Sequence, residues 1–258
     1  DMNSMGDQMI LDGITYTFPL GDSATIMVGD STDVSALYST ACTYAAFTDV
    51  VSNCGSGNAA GLGGGSAQKA TAGTNDDSSS ATIAASYDFG NGFTVAGGLS
   101  GAGGDSDGLF TKETNDVYGI QAAYNTDSYG VSVSYALTDT GVAAETTYWG
   151  LNGFYTFEGE GLPSISVGYE SQDPSAGAVS EGYFAGLTWD EVGPGSFSVG
   201  LSTARNFTDA EEELYVYEAS YTYPINDGMT ITPGVFISES AGAADDLTGF
   251  IVKTSFSF

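Results

Sequence analysis

The sequence predicts an all-β chain, an antiparallel β-barrel that crosses a membrane with its strands, and three observations predict it. Apolar residues alternate with Ser, Thr and Gly at period two from Asp12 onward, the signature of strands with two unlike faces. The connections between these stretches run short and long in turn, as in barrels with tight turns on one rim and longer loops on the other. Aromatic residues collect near the ends of the stretches, where two lipid–water interfaces select them.

Composition supports this reading. The chain has 258 residues, of which 41% are hydrophobic, yet no run reaches the eighteen or so apolar residues of a membrane helix. Gly (37), Tyr (16) and Phe (14) are abundant, a mixture suited to strands with aromatic anchors and one small-residue face. The formal charge is −29, with only 4 Lys and Arg. That argues against a nucleic-acid partner, because phosphate backbones are held by basic side chains. Histidine is absent, which removes Ser-His-Asp and Cys-His catalysis and most transition-metal sites. No cofactor and no enzyme activity are therefore expected. The chain opens at Asp1 without a charged and then apolar leader, so any signal peptide is expected to have been removed or never included.

Thirteen strands are predicted in order, over 12–18, 24–30, 80–89, 92–100, 116–125, 129–138, 146–157, 164–171, 181–189, 195–202, 213–224, 229–239 and 247–258. The first carries Ile14, Tyr16 and Phe18 on one face and the second Ile26 and Val28. The sixth alternates Tyr129, Val131, Val133, Tyr135 and Leu137 with Gly130, Ser132, Ser134 and Ala136. The tenth sets Phe197, Val199 and Leu201 against Ser196, Ser198, Gly200 and Ser202. In the eleventh, Tyr215, Tyr217, Ala219, Tyr221 and Tyr223 oppose Val216, Glu218, Ser220 and Thr222. The last ends the chain with Phe256 and Phe258 on its apolar face. A soluble sandwich would bury the apolar face and a membrane barrel would turn it to lipid; periodicity alone leaves both open.

The connections decide. Tight ones are expected at 20–22, 90–91, 126–128, 158–163, 190–194 and 225–228, several with the Gly, Asn or Asp that hairpin turns favour. Longer polar ones alternate with them at 31–79, 101–115, 139–145, 172–180, 203–212 and 240–246. Tyr87, Phe89, Phe93, Tyr124, Tyr129, Phe157, Trp189, Phe197, Tyr221, Tyr223, Phe256 and Phe258 flank the tight side or the C-terminus. Tyr118, Trp149, Tyr169, Tyr183 and Tyr215 sit toward the long side. Together they are expected to form two aromatic girdles. An all-antiparallel closed barrel needs an even strand number, so thirteen means either a further strand within 1–11 or 31–79 or, the favoured reading, a barrel domain (1–258) without its first strands. If the complete barrel has sixteen strands, 31–79 becomes the third external loop, whose length is otherwise awkward; such a chain resembles the general porins, and that resemblance implies that the loop folds inward as a constriction.

The stretches DGITYTFPLGDSATIMVGD (12–30), TTYWGLNGFYTFEGEGLPSISVGYE (146–170), GLTWDEVGPGSFSVGL (186–201) and KTSFSF (253–258) resemble cyanobacterial outer-membrane porins that carry an N-terminal S-layer-homology domain (Som-type, akin to carbohydrate-selective porins). The resemblance implies a sixteen-stranded homotrimer in the bacterial outer membrane with low conductance for inorganic ions, associated in some members with iron uptake. The S-layer-homology domain has no counterpart in these residues.

Candidate sites are electrostatic. Glu170, Glu218 and Lys253 are placed in the lumen by alternation, since a charge facing hydrocarbon costs roughly 2–4 kcal/mol for a lysine at midplane. Glu218 and Lys253 lie on strands separated by one other, and either form a transverse field or are solvated wall residues. In the long loop, Asp33, Asp49, Lys69, Asp76 and Asp77 are candidates for an eyelet. The acidic clusters Asp105 with Asp107 and Asp209 to Glu213 lack calcium-loop spacing. Cys42 and Cys54, twelve positions apart in a polar Gly-rich stretch, are expected to be bridged, because an oxidising compartment joins such a pair. Gly104 to Gly108 matches a nucleophile elbow by letter alone, and Gly61 to Gly65 lacks the ending of a phosphate loop.

Three functions compete. The first is a passive pore for ions and small hydrophilic solutes, favouring cations because basic residues are so few. The second is a structural or anchoring barrel with a largely closed pore. The third is a secreted soluble β-rich surface protein. A small polar inner face favours the wet pore, with lipid or lipopolysaccharide as its surroundings.

Overall fold

A computed structural model describes residues 14–48, 81–101, 115–139, 145–204, 207–242 and 245–257. All thirteen strands fall where alternation placed them. They are β1 (Ile14–Leu20), β2 (Ala24–Asp30), β3 (Ala81–Asp88), β4 (Phe93–Gly101), β5 (Asp116–Asn125), β6 (Tyr129–Asp139), β7 (Glu145–Thr156), β8 (Ser164–Pro174), β9 (Ser180–Val192), β10 (Gly195–Thr203), β11 (Tyr215–Asn226), β12 (Met229–Ser238) and β13 (Leu247–Phe256). They form one antiparallel sheet in chain order, each strand paired with its sequence neighbours. Among the described residues no helix is long and apolar enough to cross a membrane.

The two faces are inverted relative to a soluble protein. In β6 the burial alternates residue by residue, and it is Ser132 and Ser134 that are buried while Val131 and Val133 are exposed. Val133 is 44% exposed and its cross-strand partner Leu151 on β7 is 49% exposed. Across β11 the pattern repeats: Val216, Glu218 and Ser220 are buried, whereas Tyr217 and Tyr223 are exposed. Large apolar side chains left outside over so many strands are tolerable only if the solvent there is hydrocarbon. The soluble-protein alternative fails on this point.

Boundaries differ from the alternation reading in an instructive way. β8 runs on to Pro174 rather than stopping at 171, and β9 spans Ser180–Val192 rather than 181–189. Gln172 pairs with Tyr148 and Ser180, and Asp173 with Thr147. Backbone pairing continues into polar sequence, while apolar alternation reports only the part of a strand that touches lipid. The connections therefore shrink to 175–179 and 193–194, and the expected beat is not strict: 157–163 on the tight side is longer than 140–144 and 175–179 opposite. β1 runs on to Leu20 rather than stopping at 18, because Phe18, Pro19 and Leu20 still pair with β2, and Gly21 then takes the turn at φ 72, where its missing Cβ removes the strain.

Candidate functional site

Residues 31–48 leave β2 and lie on the buried, polar face of the sheet, crossing strands rather than following one. The Thr32 carbonyl accepts from Thr82 Oγ1 on β3 at 2.8 Å. Val34 packs on Val117 of β5. Ser39 N donates to Gln121 Oε1 on β5 at 2.7 Å, Ala41 N to Ser132 Oγ on β6 at 3.0 Å, and Thr43 N to Ser166 Oγ on β8 at 3.0 Å. Tyr44 OH donates to Glu218 Oε1 on β11 at 2.6 Å, and the Phe47 ring lies 5.3 Å from Lys253 Nζ on β13. The eight residue steps from Ser39 to Phe47 extend at most about 28 Å. The eight strand spacings from β5 to β13 measure about 38 Å along the sheet. Side-chain reach and curvature of the sheet around the segment make up the difference, so the segment runs as a chord across the concave side.

Glu218 is the main fixture of this chord. It is 4% exposed. Oε1 accepts from Tyr44 OH and from Phe47 N at 2.7 Å, and Oε2 accepts from Thr48 N at 2.8 Å and Thr48 Oγ1 at 2.7 Å. Bonds to an ionised acceptor contribute about 1.5–3 kcal/mol each. Burial pushes the Tyr44 phenol far above its usual range, and the carboxylate it bonds pushes the same way. The phenol therefore remains a donor throughout the pH range in which proteins work. Tyr38 OH, in the same segment, is also pushed up by burial.

The register explains why the chain crosses at this height. Ser166 pairs with Gly186, Gly186 with Gly200, and Gly200 with Glu218, forming one transverse row over β8 to β11. Thr43 bonds the serine at one end and Tyr44 the glutamate at the other, with the Tyr44 ring lying over the two glycines. A Cβ at Gly186 would stand 2.6 Å from Tyr44 Cγ and 2.7 Å from Phe184 Cζ, closer than packed carbon atoms approach. Gly186→Val is thus expected to unseat Tyr44 at a cost of about 1–3 kcal/mol. The expected readout is faster protease cleavage of the 31–48 segment in the folded, detergent-solubilised protein; unchanged cleavage would contradict the seating.

The residues singled out from sequence distribute unevenly. Glu218 and Glu170 are both buried on the face that the 31–48 segment crosses, Glu170 to 1% exposure. Lys253 also faces inward, beside Phe47. Asp33 opens the segment, its carbonyl accepting from Ala36 N at 3.2 Å. Asp49, Lys69, Asp76, Asp77, Cys54 and Phe258 lie outside the described residues, so the Cys42–Cys54 bridge does too. The expected girdle residues on the tight side contact one another: Tyr87 with Phe89, Phe89 with Phe93, Tyr124 with Tyr129, and Trp189 with Phe197. Phe157 meets Tyr155, Tyr223 and Phe256 are exposed, and Tyr221 OH donates to the Val192 carbonyl at 2.7 Å. On the other rim Trp149 meets Tyr135, and Glu181 accepts from Tyr169 at 2.7 Å. Gln121, Ser132, Ser166, Tyr44 and Asn125, whose Nδ2 donates to the Ser39 carbonyl at 3.2 Å, were missed as anchors. Only a polar side chain on an inward position of an otherwise small-residue strand could have flagged Gln121 and Asn125. Among the described residues no three metal-ligating side chains come together.

Comparison with known proteins gives one consistent result. Residues 40–235 match the family described as Gram-negative porin. No curated protein sequence matches the chain. Among solved structures, the anion-selective porin from Comamonas acidovorans is similar with TM-score 0.60 at 13% identity, over 95% of this chain and 88% of that one. Another porin structure is similar with TM-score 0.60 at 18% identity, over 92% and 79% of the two chains. Outer-membrane expressed OmpT of Vibrio cholerae gives TM-score 0.54 at 12% identity, over 95% and 88%. At these identities the likeness is one of fold.

Proposed function

Because the chain belongs to the Gram-negative porin family, a family of the bacterial outer membrane, we propose that it conducts inorganic ions and small hydrophilic solutes by passive diffusion through a wet lumen narrowed by the segment that begins at Ser31. One observation carries this reading: a polar face is turned inward, and a chain segment is hydrogen-bonded across it from β3 to β11. A merely structural barrel has no need of such a chord. A porin does, because the chord sets the free cross-section without closing the lumen.

Residues 31–79 are the constriction loop in this reading, and the aromatic rims are the interfacial anchors. The family context fits a channel rather than an enzyme. Assembly as a homotrimer, a complete barrel of sixteen strands and kinship with the S-layer-homology type belong to the same proposal and rest on the sequence resemblance.

Charge preference needs its own argument, since a similar fold is described as anion-selective and fold therefore does not set the sign. A chain of net charge −29 concentrates cations at its mouths, which supports a net cation preference that fades as salt shortens the screening length. Reconstituted into planar bilayers, the protein is expected to give stepwise ohmic conductance, and in a KCl gradient a reversal potential of cation-selective sign. Silent membranes would end the porin reading, and an anion-selective sign would end the charge argument alone.

A further inference from the structure

We propose that the outer face of β3 to β6 holds one acyl chain of the surrounding membrane lipid in a preformed hollow, on the half of the strands nearer the long-loop rim. The site needs only that this face meets hydrocarbon, so it stands apart from conduction through the lumen.

Strand register builds the hollow. On the outer face Ile83, Leu99 and Tyr118 stand opposite one another across β3, β4 and β5. Two residues nearer the tight rim, Ala85 stands opposite Gly97, Gly97 opposite Ile120, and Ile120 opposite Tyr135 on β6. Tyr87 and Val95 form the next pair. Ala85 and Gly97 therefore reach barely beyond the backbone while large side chains surround them. The result is an apolar cavity of about 480 Å³, within the range of roughly 300–1,000 Å³ in which proteins hold small ligands. On the inner face of the same strip of wall, Val34 and Tyr38 occupy the places where Cβ atoms of Gly98 and Gly119 would stand. The sheet here is bare backbone, packed from within by the crossing segment and open on the lipid side.

Within a membrane, burial of apolar surface drives no binding, because lipid tails are as apolar as Leu; packing decides what binds. A lipid chain running straight past would leave the hollow empty, and atoms lining a void forfeit the dispersion contacts that a partner supplies. A single file of methylenes is slim and flexible enough to bend in. A second copy of the protein would present another sheet, which Ile83, Leu99, Ile120 and Tyr135 hold away from the floor. Position fixes which part of the lipid enters. Tyr118 and Tyr135 line the hollow, Tyr118 two residues from the long-loop end of β5, and Tyr135 packs on Trp149 at 4.8 Å. Aromatic belts lie at headgroup level, so the hollow is continuous with the lipid–water interface and takes the part of an acyl chain next to its carbonyl.

The test is photolabelling of the full chain in phosphatidylcholine vesicles that carry a trace of phosphatidylcholine with a diazirine in the carbonyl-proximal half of one acyl chain. Labelled residues are mapped by mass spectrometry. Labelling is expected to concentrate on Ile83, Leu99 and Ile120, above that of Val167 and Val235, which are also exposed on the outer face. Ala85→Leu and Ala85→Phe, which fill the hollow with protein, are expected to lower it about threefold or more by removing the chain's contacts. Ala122→Leu enlarges an outward residue of β5 outside the hollow and is expected to leave the labelling unchanged. Even labelling along all the strands overturns the site, as does labelling that survives both fillings. Cross-links between two copies of the protein at β3 to β6 would assign the hollow to a protein partner and overturn it too. Channels of parent conductance are expected in Ala85→Leu; their absence in the parent protein would strike at the porin reading and leave the labelling result standing.

Discussion

Glu218→Ala is expected to free the crossing segment and to enlarge the single-channel conductance, the largest functional change any one substitution should cause. The parent carboxylate receives four hydrogen bonds from three residues of the segment, two of them from backbone N–H groups. Truncation leaves those donors facing a void at a buried position. Each buried donor left without its acceptor costs about 1–3 kcal/mol, so the C-terminal part of the segment is expected to lift away while the bonds at Thr82, Gln121, Ser132 and Ser166 hold the rest. The β11 backbone pairing does not involve the side chain, so the sheet itself should survive. Single-channel recording supplies the measurement, with protease cleavage within 31–48 as the structural companion. If conductance and protection both remain at the parent level, Glu218 is not the fixture.

Val133→Arg tests the other half of the argument, the direction in which the apolar face looks. Val133 stands mid-strand, exposed, opposite Leu151 and within a band that includes Val131, Tyr129 and Trp149. A guanidinium there should destabilise the folded, membrane-inserted state by about 2–4 kcal/mol if the face meets hydrocarbon at midplane. Ser198→Arg lies on the inner face of β10, where Ser198 is half-buried beside Thr188, and should cost far less because water reaches it. Folding into lipid vesicles, followed by heat-modifiable migration and denaturant midpoint, distinguishes them. A tolerated Val133→Arg together with a ruinous Ser198→Arg would reverse the faces and remove the pore.

Both experiments probe a division that runs through the chain. The thirteen strands were legible because alternation is a local property: each side chain's face follows from its neighbours two residues away. The inward placement of Glu218, Glu170 and Lys253 followed from the same rule. What could not be read was what those side chains meet. Glu218, a plausible wall charge from its position, is covered and saturated by residues about 170 positions away in sequence. Strand ends in polar sequence, such as Ser171 to Pro174, were also illegible, since backbone ladders need no apolar code to continue.

By itself, then, the amino-acid order determined that this protein is a ribbon of two unlike faces and which face is greasy, because both depend on residues close together along the chain. Tertiary structure alone decided that Ser166, Gly186, Gly200 and Glu218 form one row, that Tyr44 lies along it, and that Lys253 lies beside the Phe47 ring. Rows across a sheet are fixed by strand register, and register is the sum of many backbone pairings; no short window of sequence contains it.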